Sequence, residues 1–584
     1  MDKKKTFSKA QAVKGLRRPK RKEPTEARLQ AGQRLASRAV FARMGFDWIK
    51  SDGTTFTFQG RTGEIDDILI QENVLVLVER TTGKADSGHV TKKSILWNKI
   101  LENSADWVEQ YSGVNQIFSD RINSSGYQSD EFTVHVCYIS AHGISEELEQ
   151  ALSLYRFLDG TKFRYFDALS RTIQKSARWE FFNYLGVDLS RFGSRGTSAA
   201  LPYSEYSGHL LPEKNSGYEK GFRVVSFYAD PATLLKRAYV LRKDSWRDPD
   251  SLYQRILIPA KIRAMRHYLN DRGRVFVNNI IVTLPANTRL VDMAGKDVSH
   301  QNIPSHACEV KVTIPEQPNC IGLIDGQHRV FCYHESTTSD PLEKVISQQR
   351  SRQSLLVTGL IYPKTWKEQQ QRDFEARLFL EINDTQARAK TLLKQSISVT
   401  LEPYSTTAIA KGVLNRLSRR GPLKDLLQSN HFDPADRVKT SSIVSFGMAP
   451  LVKTSGSDSL FFAWNAHNKQ ELLNTDKASE LARREALDSY LEFCAESINA
   501  MLIELKIAIG SDAWTVGSRQ GGGILTTTSI NGFLVCMRRL AARGWLPDKT
   551  TYKKHLSSVG EFAFRDFKSS QWRELGDLLF SRYF

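Results

Sequence analysis

Two groups of chemistry-bearing residues stand out in the 584-residue chain. The first is acidic. Glu64, Asp66 and Asp67 precede Ile68-Leu69-Ile70, and Glu79 closes the apolar run Val74-Leu75-Val76-Leu77-Val78. On adjacent strands, Asp66 and Glu79 would present neighbouring carboxylates, hard oxygen ligands suited to Mg²⁺. The second group is Asp325-Gly326-Gln327-His328-Arg329, directly behind Ile321-Gly322-Leu323-Ile324. A strand turning sharply into a helix leaves backbone N–H groups free at the helix start, and an arginine beside them makes an anion site. Gly326 permits close backbone approach, and Arg329 supplies a fork-shaped cation for phosphate. Asp325 could hold a metal or cap the helix, while Gln327 and His328 offer neutral hydrogen bonds. The plainer alternatives are a solvated strand end for the acids and a turn with a solvated arginine for the pentapeptide.

The elements around the acids follow from periodicity. Residues 27–44 read as a helix, 56–58, 63–70 and 74–79 as strands, 91–111 as a helical stretch and 132–137 as a further strand. The order helix, three strands, helix, strand resembles the αβββαβ core of the PD-(D/E)xK, or restriction-endonuclease-like, nucleases. That resemblance implies Mg²⁺ on Asp66 and Glu79 and cleavage of DNA. One departure stands out: the position two after Glu79, where the family carries lysine, is Thr81. Lys84, Lys92 or Lys93 could swing in from the following loop and helix. The other reading is an inactive site on a fold that only holds DNA.

The pentapeptide resembles the signature of DGQHR-domain proteins, a ParB/sulfiredoxin-like branch that includes the DndB proteins of DNA sulfur-modification systems. Further patches agree in order: Tyr253-Gln254-Arg255 before a helix over 259–269, then Phe276-Val277-Asn278-Asn279-Ile280-Ile281-Val282, Leu378-Phe379-Leu380-Glu381-Ile382-Asn383-Asp384-Thr385-Gln386, and Leu525-Thr526-Thr527-Thr528-Ser529-Ile530-Asn531-Gly532-Phe533. The likeness covers roughly residues 250–540. It implies a ParB-like domain that binds, and could hydrolyse, a nucleoside triphosphate, with Arg255, Asn279, Asn383 and Gln386 joining Asp325 to Arg329 around the phosphates.

Charge points to a polyanionic partner. The formal net charge is +18, and the first 28 residues alone hold 11 Lys and Arg against 3 Asp and Glu, a flexible arm suited to phosphate backbones. The arm lacks an apolar core, so a secretory leader is not expected. No apolar stretch is long enough to span a bilayer. Six scattered cysteines without a CxxC pair point to a reducing, cytoplasmic setting. His306, Cys308, Cys320, Cys332 and His334 are metal-ligand types, but their spacing fits no zinc knuckle. No Gly-Lys-Ser/Thr follows Gly521-Gly522-Gly523, so no P-loop is present.

Together these readings give a multidomain α/β and α+β chain: a basic tail (1–26), a restriction-endonuclease-like domain (27–190), a linker (191–218), a DGQHR domain (219–400) and a helical C-terminal region (401–584) with helices over 471–484, 486–507 and 530–544. The expected role is a DNA-acting protein of a DNA-modification or antiviral defence system, working with other proteins of that cluster. The alternative is a non-enzymatic DNA-binding regulator of the DndB kind, and RNA is a further candidate polyanion.

Overall fold

The computed structural model describes residues 25–82, 87–188, 191–193, 203–240, 257–298, 306–315, 319–384, 401–428, 436–517 and 522–584, with positions 395, 399 and 433. The basic arm, Lys84, Arg255 and Gln386 lie outside these residues, as does the Asn383 side chain. The chain is a mixed α/β, multidomain protein with a five-stranded sheet, an eight-stranded sheet and a helical C-terminal region.

The first sheet follows helix α1 (Glu26–Arg43) and has the order β1-β4-β5-β6-β7. Its strands are β1 (Asp47–Lys50), β4 (Asp67–Gln71), β5 (Val74–Thr81), β6 (Thr133–Ser140) and β7 (Arg156–Leu158). β1, β4 and β5 form an antiparallel meander, and β6 then runs parallel to β5. Between β5 and β6 come α2 (Ser87–Glu102), α3 (Ser104–Ser112) and α4 (Gln116–Ser125). The meander's first strand is therefore 47–50 and not the expected 56–58. Phe56–Phe58 (β2) instead pairs with Arg61–Gly63 (β3) in a separate hairpin. Asp47-Trp48-Ile49-Lys50 is too short to announce itself by alternation, with Ile49 its one buried residue.

β5 is covered on both sides, which explains its unbroken apolar run. Val74, Val76 and Val78 enter one core with Val40, Phe41 and Phe181, while Leu75 and Leu77 enter another with Trp97 and Trp107. Successive strand residues point to opposite faces. Glu79 therefore continues the Leu75–Leu77 row toward α2, and Arg80 continues the valine row toward α1. Each of those fully buried aliphatic side chains contributes about 1.5–3 kcal/mol, so the placement of both polar residues is set by packing upstream of them.

After α5 (Glu146–Ala151), α6 (Gly160–Ile173) and α7 (Arg178–Leu185), the second sheet has the order β10-β14-β11-β15-β9-β8-β13-β12. A 3-10 turn at Gln174–Ala177 separates α6 from α7. The stretch expected as a linker contributes β8 (Tyr203–Leu211), which lies inside the sheet between β9 (Arg223–Ala229) and β13 (Cys308–Pro315). Tyr-Ser-Glu-Tyr-Ser-Gly-His-Leu-Leu reads as polar because alternate residues there are exposed. The remaining strands are β10 (Ala238–Tyr239), β11 (Ile280–Leu284), β12 (Arg289–Asp292), β14 (Ile321–Asp325) and β15 (Leu355–Ile361). Helices α8 (Glu213–Ser216), α9 (Pro231–Arg237), α10 (Pro259–Arg272), α11 (Gln327–Phe331), α12 (Glu343–Arg352) and α13 (Glu368–Asp384) flank it.

One apolar core runs continuously from the α1 face of the first sheet, through α6 and α7, into the second sheet. Polar contacts reinforce that joint. Arg178 pairs with Glu335 at 2.7 Å, and the Gln174 carbonyl accepts from the Ser336 hydroxyl at 2.7 Å. The C-terminal region packs around its own core. There the helices expected at 471–484 and 486–507 are replaced by short 3-10 turns and one 30-residue helix, Glu480–Ile509. No helix among the described residues is long and apolar enough to cross a membrane.

Candidate functional site

The acidic group assembles where β4 begins and β5 ends. Asp67 pairs across the ladder with Val78, so Asp66, one residue further out, meets the Glu79–Arg80 peptide. Asp66 Oδ2 accepts from the Arg80 backbone N–H at 2.8 Å. Glu79 reaches toward α2, and Lys93 Nζ on that helix donates to Glu79 Oε1 at 2.8 Å and to the Glu64 carbonyl at 3.0 Å. Of its three N–H groups, one remains for another acceptor. Lys93 is thus the lysine that meets Glu79, while Thr81 stands two residues after it. Thr81 holds the strand end instead, its carbonyl accepting from Gln33 at 2.9 Å. Lys92, one residue away on the helix, is exposed.

The two adjacent aspartates have separate tasks. Asp67 is 1% exposed and is held by two arginines. Arg38 binds both its oxygens, at 2.6 and 3.0 Å, and Arg80 Nη1 lies 2.5 Å from Oδ2. Arg38 also stacks on Trp48, 3.8 Å from the ring centroid. Asp66 keeps a third of its side chain exposed, and Lys93 a quarter. Glu79 is almost fully buried. Its carboxyl is raised to about 7: burial is the main cause, Lys93 opposes it and Asp66 adds to it. The Lys93 contact therefore only partly offsets the cost of burying the Glu79 carboxylate.

A hard divalent cation beside Glu79 would offset the rest of that cost. Asp66 and Glu79 would hold it through carboxylate oxygens. Among the described residues no group of three or more His, Cys, Asp or Glu side chains is disposed to bind a metal. Two carboxylates match Mg²⁺, which keeps several waters and takes its other ligands from substrate phosphates. Cys332 and His334 are buried packing residues, with His334 lowered to about 3 by burial and by Arg266.

The pentapeptide has the expected strand–turn–helix form but different chemistry. Gly326 takes φ +98°, in the left-handed region that favours glycine, where an added Cβ would meet Ile280 at 3.0 Å. Arg329 does not stand ready for phosphate: its Nη2 lies 2.7 Å from Asp325 Oδ2 and 2.8 Å from the Asn279 carbonyl. Four-residue spacing across the turn folds the arginine back onto its own aspartate. The N-cap position of α11, which is only five residues long, is Gly326 and offers no side-chain cap. His328 Nε2 accepts from the Ile258 N–H at 3.1 Å, and Asn279 donates to Thr358 at 2.8 Å. Gln327 is half-buried beside them. Directly after α11, residues 333–337 are gripped by Arg266 and Arg350 on one side and by Gln174, Ser176 and Arg178 on the other. The segment that follows the motif is a corner of the joint between the two sheets.

Sequence reading put Asp66 within a strand over 63–70 beside Glu79, whereas β4 begins at Asp67 and Asp66 lies just before it; the choice of lysine was left open. It missed Arg38, Arg80 and Gln33. The signal available for Arg80 was its parity with Val74, Val76 and Val78. No protein-family model matches the chain, and neither a curated protein nor a solved structure does.

Proposed function

We propose that this protein acts on DNA through a restriction-endonuclease-like N-terminal unit whose Asp66, Glu79 and Lys93 form a Mg²⁺-dependent phosphodiester-cleaving site. The observation that carries this reading is Lys93 Nζ at 2.8 Å from the buried Glu79, with Asp66 hydrogen-bonded to the adjoining peptide. A bound Mg²⁺ would supply an activated water and neutralise the scissile phosphate. Lys93 offers its remaining N–H to a phosphate oxygen and balances charge that grows there. Glu79 orients Lys93, and the Asp67–Arg80 pair fixes the strand ends. The basic arm and the net charge of +18 favour a nucleic-acid substrate. The Asp325–Arg329 turn enters this proposal as a rigid corner, because its arginine is already neutralised, and a nucleoside triphosphate is not assigned to it.

Supercoiled plasmid incubated with Mg²⁺ tests the reading. Nicking by the wild type that disappears in Asp66→Ala supports it. Tight duplex binding with no turnover in any condition sinks it and leaves a non-enzymatic regulator of a DNA-modification or defence cluster. Competition between duplex DNA and RNA decides which polyanion is bound.

A further inference from the structure

Arg80 is the only residue of this cluster whose atoms touch both aspartates. Its backbone N–H holds Asp66 Oδ2 at 2.8 Å, its Nε lies 3.9 Å from the same oxygen, and its Nη1 reaches Asp67. Glu79 is its covalent neighbour. Its side chain is 6% exposed, wedged against an aspartate that is 1% exposed. Arg38 grips Asp67 from α1, and no contact of Arg38 with Asp66 accompanies that grip. Buried, multiply bonded arginine of this kind is rigid, since its planar fork loses little further freedom on bonding.

Resting on the metal-site reading above, we infer that Arg80 is a positioning residue: it locks the buried Asp67 anchor to the strand end and so sets the separation of the Asp66 and Glu79 carboxylates that would share the cation. A site held this way tolerates little misplacement, because carboxylate geometry around Mg²⁺ is strict. Plain electrostatics predicts the opposite sign. A positive charge next to a cation site weakens cation binding, so deleting it should tighten binding. Positioning and bare charge are thus separable in one experiment.

The full-length protein is titrated with Mn²⁺ by calorimetry, alongside thermal unfolding, for wild type, Arg80→Met and Arg38→Met. Asp67 keeps one arginine in either variant, so neither leaves it without a counter-charge. The expected result is Mn²⁺ binding weakened about tenfold in Arg80→Met and within about twofold of wild type in Arg38→Met, although both lower the unfolding midpoint. Arg80→Lys, which retains charge but not the fork, should fall between and serves as the test variant if Arg80→Met does not fold. Unchanged or tighter binding in Arg80→Met overturns the positioning role while leaving the metal site standing, and so does an equal loss in Arg38→Met. A wild type that binds no Mn²⁺ overturns the metal site itself.

Discussion

The acidic strand edge and the Asp325–Arg329 turn both look like ligand sites in one dimension, and the structure separates them by charge balance. At the turn, one aspartate and one arginine four residues apart neutralise each other at 2.7 Å. At the strand edge Asp66 meets the Arg80 guanidinium only loosely, at 3.9 Å, and stays a third exposed, while burial leaves Glu79 near 7 despite Lys93. Motif shape was similarly persuasive in both places. What distinguishes a site from a corner is whether its charges are already satisfied by the protein.

Substitutions can break or sharpen this contrast. Asp66→Ala and Glu79→Ala should each lower plasmid nicking by at least about 100-fold, whereas Asp325→Ala and Arg329→Ala should leave it within a few-fold. Comparable losses at the turn would return it to the functional site. Lys93→Ala should cost about 10- to 100-fold in rate with Lys92→Ala near wild type, checked by single-turnover cleavage.

Stability should depend on pH in a way traceable to Glu79. Its folded value, about 7, exceeds the ordinary 4.5, so the native state binds the extra proton between those values. That contribution is fully present below about 4.5 and is lost as pH rises through about 7, on the order of 3 kcal/mol. Denaturant unfolding of metal-free wild type against Glu79→Gln, from pH 5 to pH 8, should show the difference growing in the variant's favour. A flat difference would mean the carboxyl is not strained. The smallest effect expected is at the corner: Gly326→Ala should destabilise by about 1–2 kcal/mol through its positive φ, measured by the same unfolding without loss of nicking.

Much of the first sheet was legible because its strands bury both faces. The Val74–Val78 run and the Ile68–Ile70 run could be little else, and they carry Glu79 and Asp66 to their ends. The first strand was not legible, since only Ile49 of its four residues is buried. β8 was hidden for a related reason, one exposed face giving it the composition of a loop. The choice of Lys93 over Lys92 depends on the rotation of α2, which Leu96 and Trp97 fix by packing and which spacing alone leaves open. The Arg329 ion pair was readable in principle from its four-residue spacing to Asp325. Its likeness to the DGQHR signature implied a phosphate ligand instead.

The most direct measurement is Mg²⁺ titration of the wild type at pH 6.5 in two buffers of different ionisation enthalpy. With Glu79 near 7 and a cation requiring its carboxylate, about three-quarters of a proton should leave per ion bound, and Glu79→Gln should release none. Binding without proton release, release that persists in Glu79→Gln, or no binding at all would contradict a cation site at Asp66 and Glu79.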